Sequence, residues 1–286
     1  MDRDRLLKPV KKLTKLLRKM RRQPTPDEVH DLRTNARRFE AMFKAVALDA
    51  RGMDDAALKS LDRLRKRAGK VRDLDVLTSY AAPIRPKGEG ECQVQLLEHL
   101  GARRRKYAKK FYAEVKRRRP ALRKDFKRTR KLLAKVVRAD GDPAEESKAA
   151  ADATGTAVKL AAELALPHRL GPENIHPYRL KVKELRDVLR MADGAARPKF
   201  IDDLGAVNDT IGEWHDWNEL VSIAKKALKH QKGCGLMAEL KRIEKAKYDR
   251  ALSLAEALRR DYLREAAPKK KIPGPQVWQA ASKLAG

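Results

Sequence analysis

The chain has 286 residues, enough for two ordinary domains or one doubled domain, each with a core of its own. Apolar residues at 42% exclude a disordered chain, and aromatics at only 5% beside abundant Ala, Leu, Lys, Arg and Glu favour helices packed on aliphatic side chains. Against 39 acidic residues stand 68 basic ones, a net charge of +29 that works against compaction and is tolerated where a polyanion supplies the counter-charge.

Taken in chain order, the pattern is helical almost throughout and no alternating β pattern occurs. Residues 3–22 form a first helix, with Leu6, Val10, Leu13, Leu17 and Met20 on one face. That stripe reads as an ordinary core face. It is too often interrupted for a secretory signal, and no run in the chain approaches the roughly 18 apolar residues of a membrane span. Gln23-Pro24 ends the helix. Thr25-Pro26-Asp27-Glu28 then supplies an N-cap, a proline in the first turn and two acids beside it, for a helix running to about Ala50. A shorter helix (54–66) meets a break at Gly69, and another opens near Asp73. After a loop at 83–90 come two very basic helices, 91–119 and 121–138, divided by Pro120. A turn at 139–143, an alanine-rich helix at 144–166 and a linker at 167–174 follow. Helices are expected at 175–193, 199–204, 207–232 and 236–264, before a loosely ordered tail. The expected units are therefore 1–166, 167–265 and the tail 266–286. Cys92 and Cys234 stand outside any Cys-x-x-Cys pair, which fits reduced thiols in an intracellular, cytoplasmic protein.

The chain contains an internal repeat. VHDLRTNARRFEAMFKAV (Val29–Val46) aligns with IHPYRLKVKELRDVLRMA (Ile175–Ala192), and AGKVRDLDVL (Ala68–Leu77) aligns with LGAVNDTIGE (Leu204–Glu213). Duplication of a helical unit predicts an all-α protein of two helical bundles related by a pseudo-two-fold axis. In this alignment Gly69 and Asp73 pair with Gly205 and Asp209. Each aspartate follows a glycine and fits an N-cap; a carboxylate there could instead pair with the arginines.

On a helical wheel Val29, Leu32, Ala36, Phe39, Phe43 and Val46 share one face, and His30, Arg33, Arg37 and Lys44 form a second stripe beside it. The other copy divides the same way: Ile175, Tyr178, Val182, Leu185 and Leu189 make a core face, and His176, Arg179, Lys183, Arg186 and Arg190 a cationic one. At 1.5 Å per residue the second stripe extends roughly 21 Å, enough for several consecutive phosphates. A solvated face normally mixes signs to gain i,i+4 pairs, yet only Glu40 interrupts these two stripes. Nucleic acid, an anionic membrane surface and inorganic polyphosphate are the candidate partners.

His30 and His176 occupy equivalent places in the first turn, where unpaired backbone N–H groups favour an anion. An imidazole there can donate to a phosphate oxygen, or it can simply pack at the bundle boundary. Neither has a second ligand at metal spacing on its own helix, and no cofactor motif is present. Trp214-His215-Asp216-Trp217 reads as helix core plus surface. From Arg103 to Lys131 sixteen basic residues face only Glu114 and Asp125, which suggests a long-range electrostatic funnel.

VHDLRTNARRF with VRDLDVL in the first half, and IHPYRLKVKELR with LGAVNDT in the second, resemble the conserved histidine α-helical domain (CHAD) family over roughly Leu6 to Leu263. The resemblance implies two helical bundles with pseudo-two-fold symmetry and a basic central groove that binds inorganic polyphosphate, in association with polyphosphate granules. By position, the groove would use His30, Arg33, Arg37, Arg38, His176, Arg179, Lys183 and Arg186. This chain departs from the pattern at Pro177 and Tyr178, where the first copy has Asp31 and Leu32, and at Glu184, which replaces the second base of the Arg-Arg pair. The function expected is binding without catalysis. Nonspecific nucleic-acid binding is the alternative, disfavoured because the stripes carry no aromatic side chain for base stacking, although Tyr107, Phe111 and Tyr112 lie in the basic middle. A phosphoanhydride hydrolase is a further alternative and would need a cluster of metal-binding carboxylates.

Overall fold

The computed structural model describes residues 3–45, 48, 53, 55–85, 90–136, 155–166, 169–191, 198–228 and 234–263. Most of the described residues are helical, with no strand among them. In chain order the helices are α1 (Arg3–Lys19), α2 (Pro26–Ala45), α3 (Ala56–Ala81), α4 (Gly90–Val136), α5 (155–165), α6 (Ile175–Met191), α7 (Pro198–Ala227) and α8 (Gly235–Leu258), which runs into a π-helical turn at Arg259–Leu263. The expected turn at 139–143, the start of the alanine-rich helix and the tail lie outside the described residues.

Two compact units divide the chain: Met1–Gly141 with Ala227–His230, and Asp142–Lys226 with Gln231–Gly286. The boundary thus falls at 141/142 rather than at 166/167. The reason is visible in α5, whose Leu160 and Leu164 are buried with Ile175, Tyr178 and Val182 of α6 in the second unit's core.

In the first unit the four helices pack in the cyclic order α1, α2, α3, α4 and back to α1. The apolar stripes read from the sequence fill the centre: Val10, Leu13 and Leu17 from α1, Val29, Leu32 and Phe39 from α2, Leu61 and Leu64 from α3, and Phe111, Leu122 and Phe126 from α4. Phe39 and Phe126 meet at 5.4 Å between ring centroids, within the range in which aromatic pairs add to simple area burial. The start of α2 is a reciprocal capping box: Glu28 N–H donates to Thr25 Oγ1 (3.2 Å) and Thr25 N–H donates to Glu28 Oε2 (2.9 Å). Arg104 of α4 ties three elements together by donating from Nε to Asp75 Oδ1 of α3 (2.5 Å) and from Nη2 to the Pro24 carbonyl (2.8 Å).

The second unit buries Leu204, Val207, Ile211 and Trp214 of α7 with the α6 stripe and with Ala251, Ala255 and Leu258 of α8. Trp214 Nε1 donates to Glu244 Oε1 (2.7 Å) and Lys181 pairs with Glu163 (2.9 Å). Arg259, only 2% exposed, donates to Glu256 and to the Ala165 carbonyl, so the π turn grips the end of α5.

Three expected breaks are absent. Gly69 does not interrupt α3, Pro120 lies inside α4, and 199–204 joins 207–227 in the single helix α7. Pro120 removes only one of the many backbone bonds of a 47-residue helix. With α3 and α7 continuous, Asp73 and Asp209 are mid-helix residues, not N-caps.

Candidate functional site

The cationic stripe of α2 lies beside α3. Arg33, half-buried, spreads over Gly69, where a Cβ would collide with its Nη1, and that nitrogen lies 3.5 Å from the Arg65 carbonyl. The absent side chain at Gly69 is therefore a seat for a guanidinium, not a helix stop. Burial pulls the Arg33 guanidinium below its ordinary range; Asp73 pushes it back, and Arg37, Arg65 and Arg72 add to the lowering. Four guanidinium groups thus crowd one edge of the first unit. Arg65 is offset by Asp62 (2.7 Å). His30, Arg37 and Arg38 are exposed, with the His30 ring 3.4 Å from Thr34 Oγ1. Lys44 sits at the far end of the stripe and pairs with Glu40 (3.3 Å).

The second unit repeats this arrangement on α6 and α7. Arg179 Nε donates to the Asn208 carbonyl (3.0 Å), and its guanidinium covers Gly212, where a Cβ would lie 2.5 Å from Nη2 and 2.8 Å from Cζ. Seven residues along α6, Arg186 reaches the α7 glycine seven residues back, with Nη1 3.5 Å from the Cβ position of Gly205. The two helices therefore run antiparallel. Arg186 Nε is buried without a hydrogen-bond partner, Arg190 is exposed and Lys183 half-buried.

These contacts correct the repeat. Arg33 and Arg179 are equivalent, so the seat at Gly69 corresponds to Gly212, not to Gly205. AGKVRDLDVL then aligns with IGEWHDWNEL (Ile211–Leu220), which matches Val71 with Trp214, Arg72 with His215 and Asp73 with Asp216. The Trp-His-Asp-Trp run is more than core plus surface. Trp214 and Trp217 are buried, while the His215 ring lies 5.0 Å from that of His176. His215 Nδ1 faces Asp216 Oδ1 at 3.9 Å. Asp216 holds the His215 imidazole above its usual range, against burial and Arg179. Burial, with His215 and Arg179, pushes His176 below it.

Arg65, Arg72 and His215 do not stand out as site residues in the sequence, where His215 reads as part of a core-plus-surface run, because the second helix of each pair contributes them and only the contact register reveals the pairing. The basic middle region is partly structural: Arg104 is engaged as above, Arg117 and Arg118 both bond Glu114, and Arg118 also donates to Ser60 Oγ (3.1 Å). Phe111 is buried, and Tyr107 and Tyr112 pack against the core, with Lys70 Nζ 5.6 Å from the Tyr107 ring centroid. Among the described residues no group of three His, Cys, Asp or Glu side chains is placed to hold a metal ion, and no helix is long and apolar enough to cross a membrane.

No curated protein matches the chain. Among solved structures it is similar to the crystal structure of the CHAD domain from the plant Ricinus communis, with a TM-score of 0.59, 16% identity, and coverage of 92% of this chain and 91% of that one. At that identity the likeness is one of fold. The sequence pattern of the CHAD domain matches residues 5–225, well over half of the chain, and on that ground this helical protein belongs to the CHAD-domain family.

Proposed function

We propose that the protein binds inorganic polyphosphate on the cationic edges of its two units, without catalysing a reaction, and that this binding places it on polyphosphate granules. The observation that carries the reading is Arg33 seated over Gly69 and against the Arg65 carbonyl, on an edge it shares with Arg37, Arg65 and Arg72, where the acids acting on these groups are Asp62 on Arg65 and Asp73 on Arg33. Like charges so arranged cost stability until an anion arrives, and a phosphate chain offers charge at short, regular intervals. Guanidinium groups bond phosphate oxygens in pairs. Since Arg33 and Arg179 also bond carbonyls, they provide fixed charge, while Arg37, Arg38 and Arg190 project into solvent and are free to follow the chain. The burial of Phe111 and the packing of Tyr107 and Tyr112 against the core weigh against nucleic acid, since they limit the ring surface left for stacking.

The test is an isotherm with polyphosphate of defined length beside single-stranded DNA, repeated over a salt series. Binding should weaken steeply with salt, with a logarithmic slope of order 0.7 per neutralised charge by analogy with single strands. Reversal of Arg33, Arg37, Arg179 and Lys183 to glutamate should abolish binding, at some loss of stability because a carboxylate cannot donate to the Arg65 and Asn208 carbonyls. The triple variant R37E/R38E/R190E, confined to exposed positions, should weaken it without touching a backbone contact. Wild-type protein that ignores polyphosphate, or holds DNA against excess long-chain polyphosphate, overturns the reading. Phosphate release from polyphosphate with Mg²⁺ or Mn²⁺ would show an enzyme instead.

A further inference from the structure

We propose that His215 is a phosphate-binding residue of the second unit, acting with His176 and Arg179 in the place that Arg72 holds beside Arg33 in the first. This rests on the polyphosphate reading and deepens it. The argument starts from the glycine seats. Arg72 stands three residues after Gly69, and His215 three residues after Gly212, so both project from the same position relative to the arginine laid across the glycine. Arg72 is near enough to Arg33 to weaken its hold on a proton, and Arg179 acts on His215 in the same sense. One edge is thus built as Arg with Arg, the other as Arg with His.

The second edge has an unmet demand that the first lacks. His176 and His215 lie with ring centroids 5.0 Å apart and planes tilted by 34°, and His176 Nδ1 is buried with no hydrogen-bond partner. Two imidazoles and a guanidinium converge, and an oxyanion is the ligand that all three can donate to. The groups acting on His215 are His176 and Arg179 from α6 and Asp216 and Glu219 from its own helix. Asp216 lies on the Nδ1 side, which leaves Nε2–H of the protonated ring for a phosphate oxygen. Phosphate bound there favours the imidazolium. By linkage, protons then favour phosphate, so this edge should strengthen as pH falls where the arginine-built edge does not.

The experiment uses the full chain with tripolyphosphate as probe. Imidazole C–H resonances are followed by NMR from pH 5 to 8.5, with and without the probe, and affinities are measured at pH 6 and pH 8 for wild type, His215→Gln and His215→Arg. The His215 midpoint should rise on binding, by up to about one pH unit for a tenfold change in affinity. His215→Gln should bind several-fold more weakly at pH 6 and lose part of the pH dependence. His215→Arg should keep the pH 6 affinity at pH 8, which a merely structural role would not produce. An unmoved His215 midpoint, or an arginine variant no better than the glutamine one, overturns the role of His215 alone. A wild type that binds no polyphosphate at any pH overturns the functional reading itself.

Discussion

Gly212→Ala separates two opposed effects that the structure places at one position. In a helix interior, alanine is worth about 1 kcal/mol over glycine, so the substitution should stabilise α7 if nothing else changed. The new Cβ, however, would lie 2.5 Å from Arg179 Nη2, 2.8 Å from Cζ and 3.3 Å from Nε, against an ordinary contact of about 3.5 Å. The guanidinium must lift by roughly 1 Å, and the 3.0 Å bond from Arg179 Nε to the Asn208 carbonyl goes with it. A hydrogen bond from a charged group contributes about 1.5–3 kcal/mol, and the lower end applies to a half-buried one. The net change is a loss of about 0.5 kcal/mol. Gly205→Ala in the same helix is the control: its nearest contact is Arg186 Nη1 at 3.5 Å, so the full gain of about 1 kcal/mol should appear. The two variants should differ by about 1.5 kcal/mol, or about 3–6 °C in the melting temperature of a unit this size, read by calorimetry. Gly212→Ala should also weaken polyphosphate binding several-fold while Gly205→Ala changes it little. Equal stabilisation by both alanines, with equal binding, would refute the idea that Gly212 seats Arg179.

Asp75→Ala should destabilise the first unit by about 2–3 kcal/mol, seen as a lower urea midpoint, because it strands Arg104 beside a carboxylate site only 6% exposed. Tyr178→Phe should stabilise the second unit by about 0.5–1 kcal/mol, seen as a higher denaturation midpoint, since it removes a buried hydroxyl that has no hydrogen-bond partner. The two imidazoles act oppositely on stability. His176 is held below 6.5, so its contribution is present above that pH and lost as pH falls; His215 is held above 6.5, so its contribution is present below 6.5 and lost as pH rises through its own midpoint. His176→Gln should therefore lower the loss of melting temperature between pH 7 and pH 5, and His215→Gln should increase it.

Periodicity alone determined the helical class, the buried faces and the cationic edges, because a 3.6-residue repeat of Val29, Leu32, Ala36 and Phe39 can be buried in one way only. The Thr25 cap was equally legible, since its partner Glu28 lies within one turn. Glycine and proline misled: Gly69 and Pro120 carry the composition of breaks, yet packing on both sides holds their helices straight through. Why Gly69 must be glycine depends on Arg33, thirty-six positions away in sequence and in contact only after α2 folds onto α3. The same holds for the true repeat partner, Gly212, and for the meeting of His176 with His215. A helix displays its own faces in sequence, but the residue each face meets is fixed by the relative slide of two helices. That slide is set by the sum of many weak contacts, and no local pattern encodes it.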